Sequence, residues 1–300
     1  VIDLKYHISS IVAIFLALGL GILIGSSIVG DNLLIEQQKK MIDRLEEQFY
    51  VFQEREAKLE ADNKKMTDII NNYENYSQAV LPLLVNGRLE GYKAALIVTG
   101  DSEVPAGMVN ALSAAGVEIV SNVVVLAHIN LDSEELRNRL IAFYNLDSKT
   151  DKETLRHYVA TSVAALISGV YDPGLVEFLE GNNLVKFKVA SFGEPINGVI
   201  VLGGANNINN YYVESFDQGL IQYLNGQGIR VFGVEPSTVQ YSYMSNYQEN
   251  NISTIDNIDY SPGQISLIMA MEGEAGHYGI KDTAKKFMPS LPLKQLGEGN

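Results

Sequence analysis

From Ile8 to Gly30 the chain carries no charged side chain, and most positions are Ile, Leu, Val, Ala, Phe or Gly. At about 1.5 Å per residue, a helix over this run covers roughly 30 Å, the thickness of a bilayer's hydrocarbon core. In lipid such a helix satisfies its own backbone hydrogen bonds. Ala17, Gly21 and Gly25 recur every four residues, a small-residue line that lets helices approach closely in a membrane, though Gly is common in membrane helices anyway. Two readings fit. One is a cleaved signal peptide, with Lys5 as its basic end, Ile11–Ile24 as its apolar core and Gly25-Ser26-Ser27 as the cleavage site. The other is a retained signal anchor over residues 1–30. The run is long for a signal core, so the anchor is the expectation. Both place the remainder outside the cytoplasm. A strict count of basic residues points the other way, since Lys5 precedes the run while Lys39, Lys40 and Arg44 follow it. Large domains translocate largely regardless of such charges, so the expected location is the cell membrane, single-pass, with an extracytoplasmic C-terminal domain.

A second segment, residues 31–80, has stalk character. Asp31 is placed to cap a new helix, and no Gly or Pro occurs from Leu34 to Tyr76. Leu45, Phe52, Leu59, Met66 and Tyr73 stand seven residues apart. Leu34, Met41 and Ile69 take the companion d positions, where Gln48, Arg55 and Asp62 fill the middle. This pattern predicts a parallel, two-stranded coiled coil with a weakened centre. Its alternative is one long helix folded back on the globular part. Pro82 and Asn86-Gly87 are expected to end the helix.

The net charge of −14 argues against a nucleic-acid partner. The absence of cysteine excludes disulfides, thiolate metal sites and cysteine nucleophiles. Over residues 88–290, short β-rich runs alternate with helical patterns. Strands are expected at Ala94–Thr99, Val117–Leu126, Val199–Leu202 and Ile229–Val234. Helices are expected from Pro105 to Ala115, at Ser133–Tyr144 behind Asp132, at Asp151–Ser168 behind Thr150, at Pro173–Gly181 and at Tyr211–Asn225. The fold class is therefore α/β, a three-layer domain with a mostly parallel sheet. Lys285–Asn300 reads as a loose tail, with 291–300 beyond any element.

In such a sheet the ligand crevice lies at the carboxyl ends of the strands. Thr99-Gly100-Asp101, Gly203-Gly204-Ala205-Asn206-Asn207 and Glu235-Pro236-Ser237 should converge there. The Gly-Gly loop fits neither a P-loop nor a dinucleotide fingerprint, and a turn without a ligand is the expectation. Asp101 reads as a helix cap before a metal ligand. The unusual stretch is Ser253–Gly279, STIDNIDYSPGQISLIMAMEGEAGHYG. Ser261 is placed to cap a helix with Pro262 at its first position. Met269, Met271 and His277 are the soft donors that a Cu(I) site would use. They are a thin set, because Met side chains two apart on a regular helix leave it on different faces. Asp256 and Asp259 are expected to accept backbone N–H groups, and His277 to make one ring hydrogen bond. Neither G-x-S-x-G nor H-E-x-x-H occurs, so no enzyme is expected.

The opening LKYHISSIVAIFLALGLGILIGSSIV, the heptad helix and the late STIDNIDYSPGQ…GHYG stretch, in that order, resemble the MctB-type copper transport protein family. The resemblance implies a bacterial envelope protein with one membrane helix, an external domain and a part in copper transport or homeostasis. Its pattern carries onto Asp256, Asp259, Gly263, His277, Tyr278 and Gly279. Copper as a ligand is implied by the resemblance alone; the residues themselves make no cofactor evident. A second role it suggests is that of a dimeric coiled-coil adaptor or scaffold, with an envelope protein partner from cell-wall remodelling or division machinery.

Overall fold

The computed structural model describes residues 4–290, apart from the side chains of residues 27–33 and 190. The chain forms two compact units that divide between Asn71 and Asn72. The first unit is helical throughout its described part. Helix α1 runs Leu4–Val85, with no break at Asp31, so Asp31 starts no new helix. Pro82 lies inside it. Proline has no N–H to give to the carbonyl four residues back, so one helical bond is missing, and the helix ends within a turn of it. The chain leaves the helix four residues later, where Asn86 N donates to Pro82 O and Gly87 takes φ +68°.

Among the described residues of the second unit, seven strands form one sheet in the order β3-β2-β1-β4-β5-β6-β7. They are β1 Lys93–Val98, β2 Glu118–Val125, β3 Val185–Ala190, β4 Gly198–Leu202, β5 Arg230–Val234, β6 Ser253–Ile255 and β7 His277–Tyr278. All neighbours pair in parallel except β2 with β3. The helices are α2 Ala106–Ala115, α3 Glu134–Tyr144, α4 Lys152–Ile167, α5 Pro173–Gly181, α6 Gln218–Gly226, α7 Met244–Glu249 and α8 Ser261–Glu272. Strand side chains alternate between faces. Ala95 and Ile97 of β1, with Val199 and Val201 of β4, join one buried cluster with α3, α4, α5, α6 and α7. Ala94, Leu96 and Val98, with Ile200 and Leu202, join the other, with α2, α8 and Leu81 and Val85 of α1. The expected three-layer α/β arrangement is present, with each face of the sheet buried by helices.

Several expectations need correction. The caps of α3 and α4 are Ser133 and Asp151, whose side chains accept from Leu136 N and Thr154 N; each stands one residue after the residue expected. The stretch expected as one helix over Tyr211–Asn225 opens instead as a π-helical turn, Val213–Asp217, and becomes α-helical only at Gln218. Ser261 does not cap α8; it is the helix's first residue, and the cap position is Tyr260. Strand β3 has no counterpart among the expected strands. Its VKFKVA alternates in the strand manner, but it is a short edge strand with two lysines. Lys285 and Lys286 are not tail: Lys286 bridges Tyr278, and both of their N–H groups donate to His277 O. Residues 291–300 lie outside the described residues.

Candidate functional site

Strand β1 lies between β2 and β4, so the strand order reverses there, and the expected crevice sits beyond Val98 and Leu202. The loops after β1 and β4 close it. Thr99 N and Gly100 N both donate to Leu202 O, at 2.9 and 3.1 Å. A Cβ at Gly100 would strike the carbonyl oxygens of Gly203 and Gly204, and one at Gly203 would strike the Tyr247 and Tyr243 rings. The Gly-Gly loop thus serves close backbone approach. Asp101 is not a helix cap. Its carboxylate accepts Asn206 N at 2.9 Å and the amides of Asn206 and Asn210 at 3.2 Å, which ties the two loops together.

Beneath these loops lies Asp217, 1% exposed. Thr99 Oγ1 donates to its Oδ2 at 2.6 Å, and Tyr247 OH donates to the same oxygen. Its Oδ1 has no protein partner. Burial pushes this carboxyl up from 3.8 to about 6, against the two hydrogen bonds that hold it down. The same burial, with Asp217 beside it, pushes the Tyr247 hydroxyl well above its ordinary value. Asp217 was missed in the sequence, although a signal was present. It stands four residues after Val213 and three before Leu220, on the stripe that the helix buries.

The third loop meets the late segment. Glu235 is fully buried and accepts Ser242 Oγ at 2.6 Å, Tyr243 N at 2.8 Å and Lys281 Nζ at 2.6 Å. Asp259 accepts Ser237 N and Oγ at 2.8 and 2.7 Å. Asp256, 1% exposed, accepts Ile280 N at 2.7 Å and Lys281 N at 3.0 Å. Gly279 takes φ +143°, and a Cβ there would fall on the Asp256 carboxylate. Gly263 lies so close to Asn257 that a Cβ would strike its carbonyl oxygen. Tyr278 is 3% exposed, and its hydroxyl donates to Glu274 O at 3.1 Å. The Ser261 hydroxyl and N–H both donate to Glu74 Oε1 of α1, at 2.7 and 3.0 Å. A carboxylate from another helix therefore satisfies donors at the first turn of α8. Nothing local in the sequence links Glu74 to Ser261.

The soft donors differ in burial. Met269 and Met271 are 2% and 1% exposed, within the apolar layer beneath the sheet. His277 Nδ1 lies 3.0 Å from Thr254 Oγ1. Burial, with a smaller contribution from Lys285, lowers the pKa of its ring. Among the described residues, no three of His, Cys, Asp and Glu stand together to hold a metal ion. In chemical terms, the carboxylates of Asp101, Glu235, Asp256 and Asp259 are braces held by donors of the chain itself, while Asp217 keeps one oxygen without a protein partner.

No curated protein matches the chain. A family description, copper transport outer membrane protein of the MctB type, matches residues 1–289. The helical stretch Leu4–Ser26, with a mean hydropathy of 2.5, is long and apolar enough to cross a membrane. The chain belongs to the MctB family of copper transport outer membrane proteins.

Proposed function

We propose that this protein is a membrane-anchored, non-enzymatic component of copper transport or homeostasis at the bacterial envelope, with its α/β domain outside the cytoplasm. The observation that carries the reading is the family match over residues 1–289, which supports a role in copper transport. The apolar stretch Leu4–Ser26 supplies an anchor of sufficient length. A single helix encloses no pore, and among the described residues no cluster of three His, Cys, Asp or Glu could hold a metal ion, which supports the reading that copper is cargo this protein helps a partner to move. The non-enzymatic reading rests on the carboxylates of the sheet end, which are held by the chain's own donors.

A second reading, a coiled-coil adaptor or scaffold for cell-wall or division machinery, draws on one observation. Leu45, Phe52, Leu59 and Met66 are 58–68% exposed on α1, an apolar stripe with no cover of its own.

Copper content separates the two readings. Cells lacking the protein are expected to differ severalfold in envelope-associated copper when grown in copper. The full chain should restore the ordinary level, and a chain without residues 1–30 should not. Unchanged copper with altered cell shape would favour the adaptor.

A further inference from the structure

We infer that the exposed face of α1 between Leu34 and Ile69 is covered by a second copy of this chain, parallel and in register, and that Arg55 sets the register. Within the first unit the seam residues Met41, Leu45, Phe52, Leu59, Met66 and Ile69 are 44–68% exposed. Leu45, Phe52, Leu59 and Met66 keep a seven-residue spacing, the period at which two helices wind about each other, and Met41 and Ile69 take the companion d positions. Ile42, Phe49 and Ile70 widen the same face at its two ends and are 52–61% exposed. Covering these side chains would bury roughly 800 Å² on each copy, the size of a standard stable interface. A helix exposing this much apolar surface to water gains little from its own hydrogen bonds, so the cover also stabilises the helix.

The charged middle of the seam chooses the partner and its direction. In a parallel pair each d side chain inserts among four residues of the facing helix, one of which is the e residue that follows the equivalent d position. Arg55 is at d and Glu56 at e. In register, Arg55 of each copy therefore lies against Glu56 of the second copy, two opposite-charge contacts that a slipped pair loses. The parallel direction also follows from the apolar stretch Leu4–Ser26 at the same end of both copies; that clause alone rests on the anchor reading. Asp62, the other charged d residue, faces its own counterpart and weakens the centre, so the apolar ends hold the pair.

The chain has no cysteine, so a single introduced thiol reports on one contact. The experiment uses the full chain in detergent, where the outcome does not depend on whether the apolar stretch spans a membrane in the cell. Under mild oxidation, Leu45→Cys and Met66→Cys should each form disulfide dimers, because facing a positions bring their Cα atoms within reach of a disulfide. Ala57→Cys, at the f position on the opposite face, should not. In the Leu45→Cys background, Arg55→Glu should lower the cross-linked fraction at least about threefold, and Arg55→Glu with Glu56→Arg should restore it. Equal cross-linking at Ala57, or none at the seam, would overturn the interface. Cross-links preferring Leu45→Cys with Met66→Cys in mixed samples would overturn the parallel direction. Failure of the charge swap to rescue would overturn the register.

Discussion

Gly279→Ala is expected to destabilise the second unit by about 3 kcal/mol or more, the sum of a disfavoured backbone and a steric clash. Its φ of +143° belongs to glycine, and a Cβ would fall on the Asp256 carboxylate. That carboxylate cannot retreat without releasing Ile280 N and Lys281 N, which hold the chain as it leaves β7. Releasing them also frees Lys281, whose ammonium neutralises the fully buried Glu235. The effect should appear as a lower denaturation midpoint and as faster amide exchange over residues 279–286. Gly273→Ala is the comparison. Gly273 has a similar φ of +136°, but a Cβ there meets nothing within 4 Å, so its cost should be about 1 kcal/mol. Equal losses in the two variants would remove the carboxylate clash from the account.

Asp217 gives the domain a pH dependence of unusual sign. Its carboxyl titrates near 6 in the folded state and near 3.8 when unfolded. The folded state therefore holds its proton more tightly. This contribution is fully present below pH about 4 and is lost as pH rises through 6. At about 1.4 kcal/mol per pH unit, the loss comes to about 3 kcal/mol. Asp217→Asn keeps an acceptor for Thr99 Oγ1 and the Tyr247 hydroxyl but carries no charge. Its stability relative to the wild type should rise between pH 4 and 7 and level off above that. Denaturant titrations of both proteins across that range provide the check. A constant difference between them would mean that Asp217 does not change its proton affinity on folding. The ordinary carboxylate contribution runs the other way. The Thr154 N–H donated to Asp151 lowers that group's pKa, so its stabilisation is lost as pH falls.

The layered α/β fold was legible because its central strands are continuous apolar runs separated by helices with clear stops. Gly116 closes α2 in the left-handed conformation, and Pro173 opens α5, both at the positions read from the sequence. The edges of the sheet were not legible. Strand β3 has two lysines and pairs on one side only, while β6 and β7 are too short to show a period. The site was half legible for the same kind of reason. The three loops could be placed at the sheet end because each follows a recognisable strand. Their connections to Asp217 and Lys281, and that of Ser261 to Glu74, depend on contacts between distant parts of the chain, which no local spacing records. Only Asp217, as an acid on an apolar helix stripe, carried a sign of burial.

The placement of copper remains the point on which the account turns, and Cu(I) titration of the full chain in detergent tests it most directly. No saturable sub-micromolar site is expected in the late segment. Wild type, His277→Ala and Met271→Leu should titrate alike, with His277→Ala modestly less stable through loss of its bond to Thr254. A sub-micromolar site in the wild type that either substitution abolishes would contradict it, and would make Ser253–Gly279 a copper site instead of a brace.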